Sequence, residues 1–334
     1  MNNLSRAAYI TVALLSCSTV AARADVEDKI TKSFQVQPGG QLAVEVDRGS
    51  IDVKTTDRDS VDIEVIRKAG GSDAKAKATL ENHVVSATQD GNTVSVRAEY
   101  KGPKSSRWSW RSPDLQVRFI ITVPRKFEAN LQTAGGHINV AELTGKLLAR
   151  TSGGHLNFGK IEGPISARTS GGSINIAKCK GSVEAHTSGG HLDLSEIEGN
   201  VTARTSGGSI RADKITGECV VRTSGGNVEA GGIKGSIEAG TSGGSISAAL
   251  IEQPMGDCSF NTSGGNITIV LGEKVAVDVD LHTGAGRLST DFPVIAQAQG
   301  KKAKAELRGK INGGGPLITA HTSAGSVHLR KLAH

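Results

Sequence analysis

Residues 151–168 read TSGGHLNFGKIEGPISAR, and the pattern returns every eighteen residues. Thr133, Thr151, Thr169, Thr187, Thr205, Thr223 and Thr241 each open a copy; six copies begin Thr-Ser-Gly-Gly and the first Thr-Ala-Gly-Gly. A fixed period of this size marks a solenoid, in which each repeat is one supersecondary unit that buries its apolar face only by stacking on the next. With the Thr as position 1, position 6 is apolar in every copy: Ile138, Leu156, Ile174, Leu192, Ile210, Val228 and Ile246. Position 11 runs Leu143, Ile161, Cys179, Ile197, Ile215, Ile233 and Ile251. Position 15 runs Leu147, Ile165, Val183, Val201, Cys219 and Ile237, and position 17 is mostly Ala.

Polar residues separate these columns, so positions 5–8 and 14–18 alternate with the period of a strand that has one buried face. The Gly pair at positions 3 and 4 suits a turn with positive φ or a close backbone approach, and a further Gly at position 13 marks a second corner. The expected architecture is all-β: a single-stranded parallel β-helix with 18-residue rungs. The apolar spacings of 5, 4, 2 and 7 do not fit a left-handed hexapeptide coil, so right-handed winding is expected. The regular rungs would extend about 29 Å, at about 4.8 Å each. The insertion Gln253-Pro254-Met255 delays the next Thr to Thr262, and Thr283 and Thr322 open looser copies.

The chain divides by pattern into a signal peptide (1–24), irregular rungs and a cap (25–130), the regular array (131–291), and further irregular rungs and a cap (292–334). In the first segment Arg6 precedes a short apolar run, Ala7–Leu15, and Ala22-Arg23-Ala24 is a small-x-small cleavage site. Export to the periplasm or cell surface follows. Leu14-Leu15-Ser16-Cys17 also matches a lipoprotein cleavage box, so an outer-membrane lipid anchor through Cys17 is the alternative, and the one route to peripheral membrane association. Losing Arg6 and Arg23 lowers the formal net charge from +6 to +4, which gives no cause to expect nucleic acid. Cys219 and Cys258 share column 15 two rungs apart, about 9.6 Å by rung spacing, beyond the about 7 Å that a disulfide tolerates. With Cys179 they are expected to be free, buried thiols.

Upstream, Leu42–Val46, Ile51–Val53, Val61–Val65, Thr93–Ala98 and Leu115–Val123 read as strands, and Ala74–Asn82 as a short helix over one solenoid end. At Gly49-Ser-Ile-Asp-Val, Val123-Pro124, the Thr-Ser-Gly-Gly series and Ile311-Asn-Gly-Gly-Gly-Pro, the chain resembles the bacterial "putative adhesin" family of exported repeat domains of unknown function, over roughly residues 40–330. The resemblance implies an all-β solenoid in the cell envelope and a role in surface adhesion. It supplies no catalytic residues.

Two surfaces are candidate ligand sites. Position 18 builds an outward column of Arg150, Arg168, His186, Arg204 and Arg222 that would face a repeating anion, such as an acidic polysaccharide or lipopolysaccharide phosphate. Its bland alternative is a solvated face neutralised by Glu184 and Glu238. Trp108 and Trp110, flanked by Arg107 and Arg111, lie in one inserted loop and either stack on a ligand or plug a solenoid end. His137 and His155 would stack on adjacent rungs, without a carboxylate or Cys in their column to complete a metal site. Residues 154–160, GHLNFGK, lack the Ser or Thr and the helix of a phosphate-binding loop. No cofactor, metal or catalytic residue is expected. The leading reading is a non-catalytic envelope-binding or scaffold protein; the alternatives are a polysaccharide-active β-helix enzyme and an ice-binding solenoid, the latter suggested by the Thr column.

Overall fold

The computed structural model describes residues 25–102, 114–293 and 305–332. The segment expected to be a signal peptide (1–24), with Cys17, and the Trp loop (Arg107, Trp108, Trp110, Arg111) lie outside them. The described chain is a β solenoid of two 14-stranded sheets that face each other across one apolar core. The strand that begins at position 6 belongs to one sheet, here sheet A, and the strand that begins at position 15 to the other, sheet B. From Leu147 to Leu250 each strand pairs in parallel with residues eighteen positions earlier: Ile174 with Leu156 and Leu192 with Ile174 in sheet A, Val183 with Ile165 and Val201 with Val183 in sheet B. The columns at positions 6, 11, 15 and 17 point inward almost without exception. Ile251 is the exception: it is 51% exposed, while Leu250 beside it is fully buried. The insertion turns the chain outward there, and Gln253 pairs through its amide with both the N–H and the C=O of Ala276.

The stack is not parallel throughout, and its order departs from chain order at both ends. Thr93–Tyr100 and Leu115–Pro124 stack outside the earlier rung Gly40–Val46 and Ser50–Thr56, which sits directly against the array. Antiparallel strands then close the end: His83–Asp90 on sheet B, Ser60–Ala69 and Val26–Gln35 on sheet A. The other end repeats the device. Leu317–Thr322 and Val327–Lys331 insert between the Thr262 rung and the earlier Val277–Thr283, and Ala305–Ile311 caps antiparallel. An antiparallel outer strand keeps the edge short of a free parallel template, and its alternating charges in Ala305–Ile311 discourage edge-to-edge growth. The helix Asp73–Asn82 covers one end through Ala76 and Leu80, which pack with Ala69.

Two side-chain ladders hold the repeats in register. All ten position-1 threonines are buried. Each hydroxyl donates to the carbonyl of the position-4 glycine on the neighbouring rung, as Thr187 does to Gly172 at 2.8 Å, and accepts from the N–H of its own position-4 glycine, as from Gly190 at 3.3 Å. The terminal members follow the rearranged order, Thr322 bonding Gly265 and Thr283 bonding Gly325. A buried Thr column is unavailable to an ice surface. Replacing Thr187 by Val keeps the shape and leaves a buried carbonyl without that hydroxyl, at a cost of about 1–3 kcal/mol. Urea unfolding of Thr187→Val against the parent checks this, and equal midpoints would refute it.

The second ladder runs through position 5. The N–H of His155 donates to Nδ1 of His137, Ser173 to Nδ1 of His155, His191 to Oγ of Ser173, and Ser209 to Nδ1 of His191. It continues through Asn227, Ser245, Asn266 and Ser326 to Arg287. Position 5 therefore takes an acceptor that reaches the next backbone amide, and His, Ser and Asn are alternatives for one task. Cys179, Cys219 and Cys258 are free and buried, with Ile237 paired between the last two. Burial pushes the Cys179 thiol up to about 11 and the Cys219 thiol up to about 12, so neither is a nucleophile at neutral pH.

Candidate functional site

Position 18 ends each sheet B strand after the inward Ala or Val of position 17, so alternation aims its side chain at solvent. Register places Gln132, Arg150, Arg168, His186, Arg204 and Arg222 side by side on consecutive rungs, all exposed. The column then loses its charge at Gly240 and Asn261 and resumes with His321 and His282, whose rings stack at 4.8 Å. Position 16 decides which cations are neutralised. Arg168 pairs with Glu184 at 2.5 Å and Arg222 pairs with Glu238, each carboxylate reaching across from the following rung. Ser166, Thr202 and Val220 occupy position 16 on the rungs that follow Arg150, His186 and Arg204, and these three have no carboxylate partner among the described residues.

The contrast with sheet A is instructive. There the position-10 column mixes both signs, Glu142, Lys160, Lys178, Glu196 and Lys214, with Lys178 at 2.9 Å and Lys214 at 3.4 Å from Glu196. Hydrogen bonds from both lysines hold the Glu196 carboxyl below its usual range. A column of mixed sign largely cancels itself, whereas the position-18 column carries Arg on four of five rungs, His186 on the other, and no carboxylate.

Two shallow clefts flank the cationic column. One of about 790 Å³ includes Lys146, Arg168, Glu184, His186 and Arg204 over a floor of small polar residues such as Ser166 and Ser182. The other, about 850 Å³, joins Arg150 to Arg97 and Lys101 and also contains Glu45, Asp47 and Glu99. The structure thus gathers the column into surface grooves. The Trp loop that follows Lys101 is outside the described residues.

His137 and His155 stack at 5.1 Å with nearly parallel rings, and both Nδ1 atoms accept backbone amides. That arrangement belongs to the position-5 ladder and offers no converging ligand pair. Among the described residues no group of three or more His, Cys, Asp or Glu side chains is placed to hold a metal ion. No helix of the described residues is long and apolar enough to cross a membrane.

A third feature carries no signal that was read from the sequence. Asn139, Asn157 and Asn175 occupy position 7 on three consecutive rungs of sheet A and bond to one another, Nδ2 to Oδ1, at 2.8 Å. The row ends on Asp52, which accepts from Asn139 at 2.7 Å and from Arg118 at 2.6 Å. The spacing of the three Asn residues is visible in the repeat, but their bonding needs the register.

Among solved structures, a "putative lipid binding protein" from Parabacteroides distasonis ATCC 8503 is 12% identical, with 92% of this chain and 97% of that chain covered and a TM-score of 0.39. A "putative adhesin" from Bacteroides fragilis NCTC 9343 is 14% identical, with 91% and 97% covered and a TM-score of 0.35. Another "putative adhesin", from Parabacteroides merdae ATCC 43184, is 13% identical over 92% and 97%, with a TM-score of 0.37. No curated protein matches the chain. The repeat, the glycine corners and all the terminal strands but Val26–Gln35 fall in the span over which the sequence matches a family model, residues 40–330, and the chain belongs to the Toastrack DUF4097 family.

Proposed function

We propose that this protein is an exported, non-catalytic solenoid, adhesin-like or scaffold-like, that binds an acidic polymer of the bacterial envelope along the position-18 face of sheet B. The observation that carries the reading is the column of four arginines and His186 held in register over five rungs, with Arg150, His186 and Arg204 free of carboxylate partners among the described residues. Rung spacing of about 4.8 Å sets the cations at intervals suited to an acidic polysaccharide or to lipopolysaccharide phosphates. The winding is read as right-handed, and the protein as residing in the periplasm or at the cell surface. Anchoring through Cys17 is the lipoprotein form of the same reading.

The test is titration of the mature protein with polygalacturonate and with lipopolysaccharide at two salt concentrations. The double variant Arg150→Ala/Arg204→Ala is expected to bind at least about tenfold more weakly, since each lost charge contact contributes on the order of 1 kcal/mol, and to show a shallower salt dependence. Equal affinity for parent and variant would sink the proposal. Trp108 and Trp110 are the only Trp residues, so emission from the same titration reports the loop separately. A polymer-dependent shift that survives the Arg substitutions would move the site to Arg107, Trp108, Trp110 and Arg111.

A further inference from the structure

The opposite face of the solenoid carries a groove of different chemistry. On sheet A positions 8 and 11 both point inward, as Phe158 and Ile161 do, so two successive residues between them face outward and the strand bends. The bend leaves a concave surface of about 550 Å³ on five neighbouring rungs, from Asp52 to Asp193. Its floor is the position-9 column Ala141, Gly159, Ala177 and Ser195, where no side chain is larger than a hydroxymethyl group, and Lys54 takes the same position on the Asp52 rung. Beside the floor runs the asparagine row.

Each amide in that row has two N–H groups and two lone pairs. Asn157 uses one N–H on Asn139 and one lone pair on Asn175, so it keeps one donor and one acceptor. The bonding is unidirectional, so every amide is oriented alike and the pair recurs at each rung, about 4.8 Å apart. Asp52 and Arg118 anchor one end. At the other end the direction fails: Asn175 sits in register with Asp193, and an ionised carboxylate cannot donate to the amide oxygen. Asp193 has no hydrogen bond or ion pair among the described residues, so acceptors accumulate at this end of the row.

A ligand that suits this surface brings hydroxyl groups, which donate and accept in the same repeating pattern, and needs no charge of its own, because Asp52 is already paired with Arg118 at one end and Asp193 stands in register with Arg211 at the other. A hexose unit is about as long as one rung spacing. We propose that the sheet A groove is a binding site for a neutral, hydroxyl-rich glycan, distinct from the cationic face of sheet B. Hydroxyls of successive sugar units would pair with Asn139, Asn157 and Asn175, and a hydroxyl would donate to Asp193 while the sugar rings lie over the small-residue floor.

The test is calorimetric titration of the mature protein with neutral hexasaccharides of glucose, mannose and N-acetylglucosamine, with polygalacturonate in parallel. Ala177 is exposed on the groove floor, and Ala177→Trp is expected to lower affinity for the neutral probe at least tenfold with an unchanged melting curve. Asn157→Asp, which removes the repeated donor, is expected to do the same, and Arg204→Ala to leave neutral binding intact. Ser195→Tyr blocks the same floor should Ala177→Trp fail to fold. Failure of all neutral hexasaccharides to bind, or binding that survives the floor-blocking variant, would overturn this assignment. Polygalacturonate binding that depends on Arg204, with no neutral hexasaccharide bound, would leave the sheet B reading standing and this one refuted.

Discussion

Gly172→Ala is expected to destabilise the solenoid by about 3 kcal/mol or more, at the upper end of the usual cost of overpacking, while Gly171→Ala next to it changes stability by no more than about 0.5 kcal/mol. The two glycines look interchangeable in the repeat. A Cβ on Gly172 would lie 1.8 Å from the carbonyl oxygen of Gly154, whereas the nearest atom to a Cβ on Gly171 is 3.8 Å away. Neither residue has positive φ, so the difference is one of space alone. The clash at Gly172 is with backbone, and that carbonyl also accepts the hydroxyl of Thr169. Relief would require rungs to separate, opening the Thr ladder and the parallel pairing together. The same contact recurs at Gly154, Gly190, Gly208, Gly226 and Gly244, all at 1.9–2.0 Å. Denaturant unfolding of the two single variants decides the matter, and similar losses from both would refute the close-approach account.

That asymmetry shows where the sequence was readable and where it was not. Columns 6, 15 and 17 announce burial because apolar residues recur at one fixed interval, and the strand placements in 40–124, His83–Asp90 apart, follow from period-two alternation. Cys219 and Cys258 were legible as unpaired for the same reason: register alone puts Ile237 between them. The choice between positive φ and close approach at Thr-Ser-Gly-Gly was not legible, since both demand glycine. At position 5 the letters show only the His137–His155 pair; the rule there is chemical, an acceptor for the next amide, and His, Ser and Asn satisfy it with unlike letters.

The order of the terminal rungs was hidden for a deeper reason. A parallel rung presents the same edge to whichever rung arrives, so local pattern does not say that Thr322 stacks before Thr283. The end strands Val26–Gln35 and His83–Asp90 lack a clean apolar stripe because they sit at sheet edges, where only Ile30, Phe34, Val85 and Ala87 reach the core. On the surface the asymmetry is similar. The Arg column declares itself by charge, whereas the asparagine row becomes a site only when register joins its amides and the bend at position 9 makes a groove.

Acidification from pH 7 to pH 5 is expected to cost the parent protein about 2 kcal/mol through His83 alone, rising to about 3 kcal/mol near pH 4. His83 is 1% exposed, at the junction of the helix and the strand that caps sheet B. Neither ring nitrogen has a hydrogen-bond partner among the described residues, and Nε2 lies 3.9 Å from Asp47 Oδ1, beyond hydrogen-bond reach. Burial is the main cause that lowers its pKa from 6.5 to about 4; Asp47 opposes the shift, and the Arg67 and Arg48 guanidiniums reinforce it. The sign follows from proton uptake. Between pH 6.5 and 4 the unfolded chain binds a proton at this site and the folded chain does not, so the stabilisation is complete above 6.5 and is lost as pH falls toward 4. Carboxylates such as Glu196, held below their usual range by lysine partners, act in a lower window and leave pH 5–6.5 to histidine. His83→Leu keeps the apolar bulk and removes the titrating ring, while the His83 carbonyl that Arg67 bonds belongs to the backbone and is retained. Urea unfolding of parent and variant at pH 7 and pH 5 isolates the effect from the exposed histidines. The variant should lose about 2 kcal/mol less than the parent across that interval, and equal losses would show that the buried ring is not the acid-sensitive group of the cap.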